Sequence, residues 1–311
     1  MTESKKADSI SAVSMKAKNV NTKNINTKNI NTKSINPKNI EINKDKVLVY
    51  FTIPIVVLII FCSGIGILNQ EVYAKETIDW MSQCLGQDIS NLVCVAPILI
   101  ISAFLITKGV RGAKIIWAGT MLTNIYSYVI YAFAVHFNFL FHLYCLILGL
   151  SIYAVIYFFS QYMKEDFREW YEKEVTTRAV GNFLLIVGIL FVLLWLSQSL
   201  PAALTNTVPE SIQTDGLLTN PVHALDFSFY LPLMFVAAVM LKKKKALGFL
   251  LAPMMLVFAG ITSVNIISLM VVSANKTSAN NTPMIIAFSI LLIICLVFLR
   301  LILKKLIKEH I

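Results

Sequence analysis

Val222-His223-Ala224-Leu225-Asp226-Phe227-Ser228-Phe229-Tyr230-Leu231-Pro232 opens an apolar run that lasts to Leu241. Lys242-Lys243-Lys244-Lys245-Ala246 interrupts it, and Leu247-Gly248-Phe249-Leu250-Leu251-Ala252-Pro253 begins a second run that reaches Val272. Each run is about 20 residues or more, enough at about 1.5 Å per residue to cross a hydrocarbon core of about 30 Å. Four consecutive lysines between two such runs read as a membrane hairpin whose turn is held on the cytoplasmic side.

The same pattern extends in both directions. Further apolar runs lie at about 47–68, 89–107, 115–137, 140–159, 179–200 and 283–303, the second of them short and interrupted by Pro97. Of the 311 residues 57% are hydrophobic and 14% are charged. A soluble globule is roughly half apolar and a quarter charged, so lipid is the solvent that this composition suits. With the N-terminus inside, segments 1–46, 108–114, 160–178, 242–246 and 300–311 are cytoplasmic. They hold every lysine and arginine except Lys75 and Lys276. Adding or removing a span would put several basic clusters on the wrong side. The expected fold class is all-α, a polytopic transmembrane helix bundle of eight spans with both termini cytoplasmic. The net charge of +10 is then a topology signal, and no nucleic-acid, nucleotide or soluble-enzyme motif accompanies it.

Two domains follow. Residues 1–46 form a polar, basic cytoplasmic tail built largely of a five-residue repeat, Asn21-Thr22-Lys23-Asn24-Ile25 and its successors to Ile40. The tail has too little apolar surface to offset the entropy of ordering and is expected to be disordered. Its lysines, with Lys242, Lys243, Lys244 and Lys245, suit anionic inner-leaflet lipids as partners. Residues 47–311 form the eight-span domain. Between spans four and five, Met163, Phe167, Trp170 and Tyr171 fall at helical spacing, with Glu169–Lys173 and Glu174–Arg178 as i,i+4 pairs. That pattern reads either as an interfacial helix or as span four running past the bilayer. The five cysteines form no metal spacing; Cys84 is expected in the first external loop.

Polar residues at the outer face are the site candidates. Asp226 is read as the one acidic residue within a span, one helical turn beyond His223 on the same face. His136 and His142 flank the turn between spans three and four, with Asn138 between them. Three histidines and an aspartate suit zinc or copper, or a proton relay; the competing reading is rings solvated at the headgroup layer. No cofactor is expected outright. In span three Asn124, Tyr128 and Tyr131 share one face, a polar-aromatic stripe that either lines a solute path or serves inter-helix hydrogen bonding. Pro97, Pro232 and Pro253 each remove a backbone hydrogen bond inside a span.

Two stretches resemble a family of uncharacterised prokaryotic multi-pass membrane proteins. One is Tyr128-Val129-Ile130-Tyr131-Ala132-Phe133-Ala134-Val135-His136-Phe137-Asn138. The other is Thr219-Asn220-Pro221-Val222-His223-Ala224-Leu225-Asp226 with Leu231-Pro232 and Leu247 to Pro253. The resemblance implies a prokaryotic plasma membrane and no assigned activity. Three functions fit the residues: a transporter or channel for a small solute or ion, an accessory or sensor subunit, and an embedded enzyme acting on lipid or envelope precursors.

Overall fold

The computed structural model describes residues 37–172, 175–277 and 279–307. The five-residue repeats as far as Asn36, and the ion pairs expected through Lys173 and Glu174, lie outside the described residues. The chain divides into Met1–Ile40 and Glu41–Ile311, and the bundle belongs to the second unit.

Apart from one isolated bridge between Tyr171 and Leu306, the regular structure of the described residues is helical. In chain order the α-helices are α1 (Pro37–Leu68), α2 (Ile78–Ser90), α3 (Ala96–Ile106), α4 (Arg111–Phe133), α5 (Phe141–Tyr162), α6 (Thr177–Thr205), α7 (Glu210–Asp215), α8 (Pro221–Leu225), α9 (Leu231–Lys242), α10 (Gly248–Thr277) and α11 (Thr282–Leu303). Helices α2 and α3 form one rod through a wide π-turn at Asn91–Val95, and α8 and α9 do the same through Asp226–Tyr230. Seven of these rods are long and apolar enough to cross a membrane. The protein is a multi-pass membrane protein.

Helix α4 is as long as the others but is not among those seven. Thr120, Thr123, Asn124, Ser127, Tyr126, Tyr128 and Tyr131 lower its hydropathy, and all of them are buried. A helix enclosed by protein does not need a lipid-compatible surface, which explains the difference. The second enclosed helix is α10, packed against α2, α4, α9 and α11. Together α4 and α10 form the interior around which the lipid-facing helices stand.

The second rod starts well before the expected boundary at Ile89. Thr77 caps it, accepting from Trp80 N at 3.2 Å, and Asp79 sits in its first turn, where the helix dipole favours an acid. Within its first three to four turns Gly86 and Ser90 lie against α10. Ser268 Oγ donates to the Gly86 carbonyl at 2.6 Å and Ser90 Oγ to Asn265 Oδ1 at 2.6 Å. Small residues let membrane helices approach closely; a Cβ on Gly86 would stand 2.5 Å from Leu269 Cα. Two expectations are corrected here. Cys84 lies buried in α2 rather than in an external loop, and Asp88 is an acidic residue inside the apolar rod.

The prolines behave in two ways. Pro97 and Pro232 each follow a wide turn in which hydrogen bonding shifts by one residue: Ala96 N–H bonds to Asn91 O, and Leu231 N–H to Asp226 O. The extra residue absorbs the carbonyl that a proline ring would otherwise strike. Pro253 lies within the continuous α10.

At the basic end, Lys114 is 1% exposed and pairs with Asp45 at 3.2 Å. The Tyr162 hydroxyl also bonds to Asp45. Lys44 bonds to Glu165 at 2.8 Å, and Glu165 accepts from Trp170 Nε1 at 3.0 Å. The aromatic stripe after α5 therefore faces protein and not the lipid interface. Phe167–Trp170 is a short 3₁₀ turn, and Phe167, Trp170 and Tyr171 are buried. Tyr171 donates to Phe249 O at 2.9 Å, and Ile307 N–H to Trp170 O at 2.8 Å.

Replacing Gly86 by alanine is expected to lower stability by about 1–3 kcal/mol through overpacking against the α10 backbone. Gly149→Ala, with nothing within 4 Å, should be near neutral. Thermal unfolding in detergent compares the two; equal midpoints would remove the close α2–α10 contact.

Candidate functional site

Asp88 occupies the last turn of α2, just before the wide turn, and is 2% exposed. Tyr73, from the loop after α1, donates its hydroxyl to Oδ2 at 2.7 Å, and Tyr131 of α4 donates to Oδ1 at 2.8 Å. Ser63 of α1 also faces the carboxyl and accepts from Asn91 Nδ2 at 3.1 Å. A methyl on Gly66 would overlap both Asp88 Oδ2 and the Tyr73 hydroxyl, so a glycine makes room for the carboxylate on α1. Burial, and then the charge of Asp88, hold the Tyr73 phenol well above its ordinary range, which keeps it a donor. Tyr128 and Tyr144 complete the wall, with ring centroids 5.3 and 5.0 Å from Tyr131. They are 1% and 2% exposed; Tyr128 faces Ser63 and Tyr144 faces Tyr73.

A second carboxylate lies on the other side of α4. Asn220 caps α8, accepting from His223 N at 3.0 Å, and Pro221 opens its first turn. That start places Asp226 at the wide turn, buried, where Trp195 Nε1 of α6 donates to Oδ2 at 2.7 Å. Tyr126 of α4 faces the same carboxyl. The His223 ring lies on Trp195 with centroids 4.6 Å apart.

Neither carboxylate has a Lys, Arg or His nitrogen within 4.0 Å among the described residues. Hydrogen bonds to a charged group contribute about 1.5–3 kcal/mol each, while removing an ion from water costs several kcal/mol even after relaxation. Two neutral donors offset only part of that.

The outer-face set from the sequence divides in two. His223 of α8 and Asp226 at the start of the following wide turn stay together in one rod. His136 instead closes a loop contact, with its backbone N and ring Nδ1 on Glu76 at 2.7 and 2.8 Å. Asn138 shapes the turn, accepting from Leu140 N at 2.9 Å, and His142 stands edge-on to Phe141 at 5.4 Å. Among the described residues no group of three or more His, Cys, Asp or Glu side chains is placed to hold a metal ion. The span-three stripe does point inward. Asn124 donates to Ser151 Oγ at 2.8 Å, and Tyr128 and Tyr131 belong to the Asp88 site.

Sequence reasoning passed over Asp88, Tyr73 and Trp195. The Thr77 cap with Asp79 was the available signal for Asp88, since it starts the helix three turns before the apolar run. No protein-family model matches the chain, and no curated protein or solved structure gives a significant match.

Gly66→Ala is expected to break the Tyr73–Asp88 bond and cost about 1–3 kcal/mol. Combining it with Asp88→Ala should recover part of the loss; additive losses would separate Gly66 from Asp88.

Outside the spans, Asp215 accepts from Gln83 Nε2 at 2.9 Å. Burial, with Asp79 adding to it, pushes its pKa from 3.8 up to about 6. The folded state then holds this proton more tightly than the unfolded state. Its stability contribution is present below about pH 4 and is lost as pH rises to about 6. Asp215→Asn keeps an acceptor for Gln83 and should gain on the native protein as pH rises from 4 to 7. Parallel melting curves would refute this.

Proposed function

We propose that the chain is a transporter of a small solute or ion that crosses the membrane eight times, with α4 as the eighth span. Asp88 and Asp226 are its working charges. The observation that carries this reading is the pair of buried carboxylates without cationic partners, each at a wide turn followed by a proline. Ionisable groups inside membrane spans face pathways or partners, and π-turns cluster at functional sites. An unpaired carboxylate held by neutral hydroxyl and indole donors is able to take up and release a cation without breaking an ion pair.

Both termini lie in the cytoplasm in this reading. What supports that is the gathering of Lys44, Lys114, Arg168 and Lys305 in contacts at one end, while Glu76 meets His136 and Gln83 meets Asp215 at the other. The basic end then faces anionic inner-leaflet lipid, a partner that suits Lys242 to Lys245 and the lysine-rich sequence of the tail. A prokaryotic plasma membrane, and kinship with the multi-pass family that the two motifs resemble, belong to the same proposal.

The test is current measurement on proteoliposomes exposed to a panel of small amines, amino acids and sugars under proton and sodium gradients. Asp88→Asn and Asp226→Asn should each lower the solute-evoked current by about tenfold or more, the order set by losing a buried counter-charge. Thermal midpoints near the native value would show that folding survives. A native protein that passes no solute, or asparagine variants with undiminished current, would overturn the reading.

A further inference from the structure

Between α4, α6, α9, α10 and α11 lies a cavity of about 70 Å³. Tyr126, Trp195, Tyr230, Phe258, Asp226 and Thr262 line the part of it that decides its chemistry. Tyr230 and Phe258 stack at 4.5 Å, and Tyr126 stands edge-on to both, at 4.9 and 5.7 Å. Thr262 Oγ1 is buried there without a hydrogen-bond partner among the described residues. The ionisable groups facing Asp226 are Tyr126 and Tyr230, and the His223 ring lies on Trp195.

Aromatic faces carry negative electrostatic potential. Set around a carboxylate they oppose its charge, unless a cation occupies the space between. A metal ion such as magnesium or calcium requires six or more oxygen ligands, more than one carboxylate, one threonine and two phenols provide. An ammonium group needs less: one carboxylate, one hydroxyl acceptor and ring faces meet its N–H and C–H surface. A water occupies about 30 Å³, so the cavity holds about two waters, or one small organic cation.

We propose that this chamber binds a small alkylammonium ion of about the size of methylammonium, with Asp226 as counter-charge, Thr262 as acceptor and the aromatic rings as its walls. It rests on the transport reading above and names the chemical class of the solute. A second cavity of about 240 Å³, lined by Ser199, Asn220, His223 and Phe227, lies on the far side of the His223–Trp195 stack. His223 lines this vestibule and Trp195 lines the chamber, so the stacked pair separates the two and forms the entrance.

The test titrates methylammonium chloride, against sodium chloride at equal ionic strength, into the purified full chain in nanodiscs, read by tryptophan fluorescence and by thermal shift. Saturable binding is expected in the native protein and in Asp166→Asn, an exposed-loop control. Asp226→Asn, which leaves Trp195 an acceptor, should weaken it about tenfold or more. Tyr230→Leu should weaken it about threefold, and tetraethylammonium should fail to bind because the chamber is too small. Absence of saturable binding, or equal binding in Asp226→Asn, overturns the proposal. Asp226-dependent transport of another solute without methylammonium binding overturns it and leaves the transport reading standing. Methylammonium binding in a protein that transports nothing supports it and counts against transport.

Discussion

A carboxylate that leaves water for the interior of a membrane protein requires either charge or donors around it, and in this bundle that requirement is met twice with neutral donors. Tyr73 and Tyr131 serve Asp88, and Trp195 serves Asp226. Meeting it constrains much else. Span three must be polar enough to face both sites, so α4 is enclosed rather than lipid-facing. Helix α1 must carry glycine where Asp88 approaches, and α2 must lie close enough to α10 to keep the early turns of its rod out of lipid.

The two sites share a backbone solution. Each sits beside a turn in which the helical hydrogen bonds shift by one residue, followed closely by a proline. A proline in a lipid-exposed span leaves a carbonyl unsatisfied, which is costly without water. A wide turn redistributes those bonds and leaves the local backbone less regular beside an ionisable side chain. The sites differ in their walls: the Asp88 site is built of hydroxyls, whereas the Asp226 site is built chiefly of ring faces and indole.

The basic end follows the opposite rule. There Lys114 is buried in direct contact with Asp45, and Tyr162, Lys44, Glu165 and Trp170 extend the network across α1, α4 and α5 and into the loop that follows. A buried pair of opposite charges with its hydrogen bonds met stabilises one arrangement and is costly to break singly. The network lies at the end away from the His223 cavity and ties α1, α4 and α5 together there.

The all-helical, membrane-spanning architecture was legible in the chain because the hydrophobic effect acts on runs of residues: Val222 to Leu241 and its counterparts are too apolar for water. The inward face of Asn124, Tyr128 and Tyr131 was also legible, since helical period alone aligns them. The partner of that face was not. Asp88 lies in a stretch that hydropathy assigns to a loop, and only packing against α10 explains why Ser82, Gly86 and Ser90 belong to a membrane rod. Likewise the residues of the outer-face set share a region, but whether His136 meets His223 or Glu76 depends on where two loops, far apart in the chain, come to rest. Solvent preference is local and additive, so sequence alone determined which segments are helices in lipid. Pairing between side chains from distant helices is neither, so only the tertiary structure decided which carboxylates are buried, what they face and where a ligand fits.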